Sequence, residues 1–249
     1  MAEFEVTVLG KYSPFPPKDG ACSGYLVKGG SDYLLLDLGS GVLSRLQRHI
    51  DITNLKGVLL SHHHPDHKAD IHSLRHAWSA NMRMGNINSP LRIYTPNEPQ
   101  YEVRQLENYQ NIFSVIKLQA GLDYPFDPFL IEWLETNHPM KCAAFAIKYN
   151  GKKIVYTGDS SLSLRSELFK LCENADLLLC ESSLMEEDKG TVPGHMSTKD
   201  AANLAKKAAV KKLILTHFWP FYEEKNLLYE AREVFEDTNL AIEGKTYIV

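Results

Sequence analysis

The chain has 249 residues, 44% of them hydrophobic, and a formal net charge of −4. That is ample for a buried core, while the missing basic excess disfavours a dedicated nucleic-acid binder or any large polyanionic partner. The acidic, alternating start MAEFEVTVLG lacks the basic and apolar regions of a signal peptide, and no apolar run could span a bilayer, so a cytoplasmic protein without membrane contact is expected.

Residues 3–9 alternate and predict a strand. Residues 10–23 hold three prolines and form a loop too long to be a mere connection. Residues 24–28 and 33–38 predict a hairpin turning through Gly29-Gly30. Residues 41–50 have helical periodicity, with His49 expected at the surface. Residues 57–60, GVLL, predict a buried strand that breaks at Ser61 into a burst of histidines. A helix is expected over residues 68–84, carrying His72 and His76 four apart on one face, a weak signal for a ligand pair. Strands over 91–94 and 112–118 flank a short helix near 99–108, and a strand over 129–135 runs up to His138.

Residues 143–149 and 152–157 flank Asn150-Gly151, a strong hairpin signal. If Tyr149 opposes Lys152, residue 142 opposes residue 159, and His138 and Asp159 lie at one end of that hairpin. Strands over 175–180 and 212–216 end in Glu181-Ser182 and His217. Helices over 198–209 and 224–235 follow, and two apolar segments, 240–242 and 247–249, close the chain. No linker, repeat or low-complexity run divides it, so one α/β domain over residues 1–249 is expected, with helices outside two packed sheets. Cys22, Cys142, Cys172 and Cys180 are scattered without C-x-x-C, which fits free thiols in a reducing compartment.

The stretch GVLLSHHHPDHKAD carries the densest chemistry. His62, His64, Asp66 and His67 spell H-x-H-x-D-H, and imidazole and carboxylate are ligands of Zn²⁺ and similar dications. Alternate residues of an extended segment point the same way, so His62 and His64 can grip one ion. Asp66 and His67, past Pro65, are expected in a turn where they can grip a second, and His63 falls on the other phase. Ser61-His62, Gly158-Asp159, Glu181 and His217 each follow an apolar strand, and the carboxyl ends of strands are where α/β proteins place their sites.

The succession SHHHPDH, NHPMKCAAFAI, YTGDS, LLLCES, GHMST and LTHFW resembles the tRNase Z-like branch of the metallo-β-lactamase superfamily, including its small phosphodiesterase relatives. The resemblance implies the αβ/βα four-layer sandwich. It implies that His62, His64 and His138 hold one metal, that Asp66, His67 and His217 hold the other, and that Asp159 bridges them. The cofactors it implies are two divalent ions, zinc first, with manganese or iron as alternatives, activating a bridging water to hydroxide.

Asp66, His195 and Glu181 are the residues expected to serve catalysis. His195 precedes Ser197 and Asp200, an S-x-x-[DE] capping box, and should stand beside a helix N-terminus that favours an anion. His195-Met196-Ser197-Thr198 resembles the family's H-S-T motif with one residue inserted, and Glu181 is placed to orient His195. Two features depart from true tRNase Z enzymes. Only twenty residues separate His138 from Asp159, too few for a tRNA-gripping arm. The first loop reads Pro16-Pro17-Lys18-Asp19-Gly20-Ala21, where the family has P-x-K-x-R-N.

The expected substrate is therefore a small phosphodiester or nucleotide: a cyclic nucleotide, a cyclic phosphate or a short oligonucleotide. Structured tRNA is not expected. RNA 3′-processing and hydrolysis of a thioester or lactone on the same fold stand as alternatives. Phe218, Trp219, Phe221 and Tyr222 follow His217 at once and are expected to form the pocket rim or the contact of a homodimer.

Overall fold

The structure, a computed structural model, describes residues 3–163 and 167–249. Strands β1 (Phe4–Gly10), β2 (Gly24–Gly29), β3 (Asp32–Leu36), β4 (Leu55–Leu59), β5 (Leu91–Thr95) and β6 (Phe113–Lys117) lie side by side in chain order. The last strand of the chain, β14 (Thr246–Ile248), returns to pair antiparallel with β1. The second sheet runs from β7 (Tyr124–Phe126) through β8 (Phe129–Glu135), β9 (Ala143–Tyr149), β10 (Lys152–Tyr156), β11 (Leu177–Glu181) and β12 (Leu213–Thr216) to β13 (Thr238–Leu240). Each sheet is antiparallel in one half and parallel in the other, with β3 to β6 and β10 to β13 the parallel runs.

Side-chain alternation sorts the layers, because successive residues of a strand face opposite sides. Leu34, Leu36 and Leu59 share a core with Phe126, Ile131 and Tyr156 of the second sheet. Leu35, Val58 and Leu60 instead pack with Val42, Leu74, Trp78 and Leu106. Those four belong to α1 (Val42–Leu46), α3 (Ile71–Arg83) and α4 (Gln100–Glu107). Ring contacts cross between the sheets, Tyr25 to Tyr156 at 5.1 Å and Tyr94 to Phe126 at 5.6 Å. Helices α5 (Leu168–Cys172), α6 (Thr198–Lys207) and α7 (Glu224–Arg232) pack on the second sheet. The result is the expected αβ/βα four-layer sandwich.

The 143–157 hairpin has the expected register, Tyr149 opposite Lys152 and Phe145 opposite Tyr156. The helix expected over 68–84 forms as α3, and a separate short helix precedes it where a turn was expected. Pro65, at a position where its missing N–H costs nothing, starts α2 (Pro65–Lys68), and the chain breaks before α3. Asp66 and His67 therefore sit on helix, not in an open turn. The break is anchored by Asp70, whose N–H donates to Leu38 O and whose carboxylate accepts from Leu43 N. The short β7 and α5 have no counterpart among the expected elements, because three and five residues are too few to show a period.

Candidate metal centre

The site assembles where the carboxyl ends of β3, β4, β10, β11 and β12 meet. Three of those ends turn through left-handed residues: Asp37 at φ 56°, Gly158 at φ 57° and His217 at φ 63°. Such values are uncommon for non-glycine residues and cluster at functional sites. At Gly158 there is also no room, since a Cβ would stand 2.7 Å from Ala143 O. The same Cβ would stand 3.1 Å from Ser61 Cβ, so the turn before Asp159 lies against the residues following β4.

After β4, residues 62 to 64 stay extended and α2 begins at Pro65, with His64 as its N-cap in β geometry. His62 Nε2 and His64 Nδ1 come within 2.9 Å of each other. His138 Nε2 lies 3.8 Å, and His62 Nε2 3.5 Å, from Asp159 Oδ2. On the other side, His67 Nε2 and His217 Nε2 are 3.0 Å apart, each 3.4 Å from Asp66 Oδ2. Asp159 Oδ1 stands 3.3 Å from His67 Nε2 and 3.1 Å from His217 Nε2. Asp159 thus turns one oxygen to each trio. His62, His64, His138 and Asp159 form one group that could hold a metal ion, and Asp66, His67 and His217 form a second.

Hydrogen bonds around the rings test that fit. His138 Nδ1 lies 3.0 Å from Met140 O. A carbonyl only accepts, so the proton sits on Nδ1 and the neutral ring presents a bare Nε2 lone pair to Asp159. His67 Nδ1 meets Asp37 Oδ2 at 2.8 Å, and His217 Nδ1 meets Ser183 Oγ at 2.9 Å. This is how proteins orient metal-binding imidazoles. Asp159 Oδ1 is buried and accepts no hydrogen bond, an orphan among converging nitrogens. Lone pairs and a carboxylate aimed at common points fit divalent cations.

Electrostatics follow from the crowding. Burial, with His67 beside it, holds the His62 imidazole well below its ordinary range, and burial likewise lowers His64 and His138. Burial opposes charge on Asp159 too, but His217, His67 and His62 outweigh it and keep the carboxyl well below the usual range.

His195 sits outside both groups. Its Nδ1 is 3.1 Å from Glu181 Oε1, and its ring stacks on His217 at 5.5 Å. One of its ring nitrogens lies within 4.8 Å of the Asp159 and His217 ligand atoms. Burial opposes its protonation, but the Glu181 carboxylate prevails and pushes it up to about 9. Glu181 is fully buried, and its other oxygen accepts from Ser183 Oγ at 2.8 Å. The capping box at Ser197 and Asp200 is present. His195 stands two residues before this N-cap, beside the helix start as expected. Ser197 N, Thr198 N and Asp200 N are engaged by Asp200, Leu184 and Ser197, so these N–H groups turn inward. Glu181 Oε1 at 3.1 Å and Ser183 Oγ at 3.3 Å from Nδ1 set the His195 ring.

Sequence reasoning passed over Asp37. It is fully buried and accepts from Ser61 N, Ser61 Oγ, His67 Nδ1 and Tyr156 Oη at 2.7–2.8 Å. It also passed over Ser183 and Ser13, whose Oγ donates to Asp66 Oδ2 at 3.0 Å. His63 turns away as expected, to Thr95 Oγ1 at 2.9 Å. His49, His72 and His76 are exposed and join no ligand group among the described residues. All four cysteines are free and buried. Of the aromatics after His217, Phe218 is fully buried as core. Phe221 is 74% exposed and meets the 45%-exposed Phe15 edge-on at 5.7 Å, and Trp219 stacks over Tyr222.

Comparison with known proteins identifies the family. Residues 33–218, well over half of the chain, match the family model described as the beta-lactamase superfamily domain. The "Probable metallo-hydrolase YhfI" of Bacillus subtilis is 36% identical over 241 residues, covering 96% of this chain and 98% of the relative. Its crystal structure, titled a metallo-beta-lactamase fold protein, superposes with a TM-score of 0.94 over 99% of this chain and all of that one. The ribonuclease Z of Archaeoglobus fulgidus is 27% identical over 297 residues, covering 96% of this chain and 95% of the relative. A diphosphatase of the PhnP family shares the fold at a TM-score of 0.77 and 15% identity, over all of this chain and 98% of that one. With the sandwich, the strand-end cluster and these matches in place, the chain belongs to the beta-lactamase superfamily.

Proposed function

We propose that this protein is a metal-dependent hydrolase that cleaves a small phosphodiester, such as a cyclic nucleotide, a cyclic phosphate or a short oligonucleotide. The observation that carries the reaction class is His195, held at Nδ1 by Glu181 beside Asp159 and His217. His62, His64 and His138 would hold one dication, Asp66, His67 and His217 the other, and Asp159 both. Those ions, when bound, supply Lewis-acid polarisation and an acidified water. With Nδ1–H donated to Glu181, His195 keeps Nε2 for the substrate. A water gives up one proton to solvent as its oxygen bonds to phosphorus, and the bond to the leaving oxygen breaks with its electron pair. That oxygen takes the proton from Nε2, and the ring is reprotonated from solvent. Glu181 offsets the positive charge that the ring carries before this step.

A relative named ribonuclease Z supports a phosphodiester as substrate. The ribonuclease Z similarity also keeps RNA 3′-processing as the second reading. That alignment runs over 297 positions although the chain has 249 residues, so the relative carries segments that this one lacks. Together with the short His138-to-Asp159 connection, this favours a small substrate.

A panel of bis-p-nitrophenyl phosphate, cyclic nucleotides, pre-tRNA and acyl esters, with Zn²⁺- and Mn²⁺-loaded protein, tests the reading. Losing a positioned general acid typically costs about 10²–10⁴ in rate. His195→Ala should lower kcat by that order on alkyl phosphodiesters, and by much less on p-nitrophenyl esters, while metal content stays near wild type. A variant that loses metal would move His195 into the coordination shell. Efficient, accurate trimming of pre-tRNA 3′ trailers would promote the second reading.

A further inference from the structure

A cavity of about 420 Å³ opens along the His138–His195 flank of the centre. Ordinary small-molecule sites span about 300–1,000 Å³. Its three walls are segments that carry or follow site residues: 137–139 around His138, 161–162 after Asp159, and 189–195 ending at His195. The first two walls are tied together, Ser161 N donating to Asn137 O at 2.9 Å and Asn137 Nδ2 donating to Ser161 Oγ at 2.6 Å. The third presses on the first at Gly194, where a Cβ would stand 2.4 Å from Pro139 Cδ and 2.8 Å from His138 Cδ2. Lys189 Nζ donates to Asp200 Oδ1 at 2.6 Å, which holds that wall to the start of α6. The shape therefore exists before any ligand arrives.

The lining chooses among ligands. Pro139, Leu162, Val192 and Pro193 are apolar. Ser161 Oγ is taken up by Asn137, accepting from Nδ2 and donating to the backbone O at 3.2 Å, which leaves the Asn137 amide oxygen to meet a ligand. Lys189 is the one ammonium in the lining among the described residues, and Asp200 already matches its charge, with Glu186 at 3.7 Å. A second phosphate here would have to displace a carboxylate. A flat, uncharged ring with a hydrogen-bonding edge has no such competitor.

Resting on the diesterase reading above, we infer that this cleft binds the uncharged, nucleoside-sized group attached to the leaving oxygen, with Val192 limiting its size and Asn137 reading its edge. His195 is the reason for the assignment of side. The residue that protonates the leaving oxygen lies in the cleft wall, so what that oxygen carries projects into the cleft.

Two readouts on metal-replete protein test this. Calorimetric binding of adenosine needs no turnover, and kcat/KM is compared for adenylyl-adenosine and for bis-p-nitrophenyl phosphate, whose rings are smaller than a nucleoside. Val192→Trp should weaken adenosine binding by at least about tenfold, and should lower kcat/KM for the dinucleotide at least tenfold more than for the nitrophenyl ester. Asn137→Ala, at an exposed position on the opposite wall, should weaken adenosine by about fivefold and reads the same site if the tryptophan variant does not fold. Adenosine binding unmoved by both variants, or equal losses on the two substrates, overturns the assignment. A wild-type protein that cleaves neither diester but binds adenosine in a Val192-dependent way supports the cleft and instead overturns the diesterase reading.

Discussion

The two ligand groups share Asp159 but differ in how they are held. In the Asp66, His67 and His217 group every side chain is buried, and each has a fixed partner behind it: Ser13 on Asp66, the Asp37 carboxylate on His67, and Ser183 on His217. In the other group His64 is only partly buried, and the His138 ring, though covered, sits between exposed Asn137 and Pro139. Its supports are a hydroxyl on His62 and a backbone carbonyl on His138, with no carboxylate behind a ring among the described residues. A carboxylate partner raises ligand basicity more than a neutral acceptor does. One half would thus hold an ion more firmly, and the other opens toward the cleft where substrate would arrive.

Removing the shared residue should have the largest effect. Asp159→Ala should weaken both groups by more than the about 10–100-fold that a residue behind the ligands costs, and metal analysis after dialysis should find neither ion. If one equivalent stays at full strength, Asp159 is not shared.

Next come the single ligands. His138→Ala should leave close to one equivalent in the sealed group with hydrolysis abolished, whereas His67→Ala should lower retention in the sealed group and spare the other, because each faces a different oxygen of Asp159. The reverse stoichiometry by anomalous scattering would invert the comparison. Asp37→Asn should then weaken one equivalent by about 10–100-fold and leave the other within a few-fold. Equal loss of both would mean that Asp37 supports the whole strand-end cluster through Ser61 and Tyr156. The smallest effect is expected from Ser13→Ala. Losing one hydrogen bond of about 1 kcal/mol on Asp66 should weaken the sealed site about fivefold, detectable by competition with a chelator.

Legibility of the site followed distance along the chain. Four ligand-type residues within His62 to His67 announce themselves by spacing. His138 and Asp159 needed the Asn150-Gly151 turn, which sets their register across a hairpin. His217 needed only the rule that polar residues at strand ends gather. Asp37 obeys the same rule, yet an apolar reading of residues 33–38 as one strand placed it inside the strand. The strand stops at Leu36, and the left-handed Asp37 begins the turn. Ser183 and Ser13 carry no pattern at all, since a serine acquires meaning only from what it touches. The sandwich was readable from alternation and helical period. The exceptions were the shortest elements and the break at Asp70, where tertiary hydrogen bonds override local preference.

The seam between the two sheets is where the ligands come from. His62, His64, Asp66 and His67 follow a strand of the first sheet, while His138, Asp159 and His217 belong to the second. Bound ions would therefore act as rivets across the sandwich. Any ion that binds the folded chain alone adds RT ln(1 + [M]/Kd) to its stability, about 2.7 kcal/mol at a hundredfold excess over Kd. In a cell, the supply of metal would then govern how long the two halves stay closed against proteases, so that starvation for the ion removes the protein itself and not merely its activity.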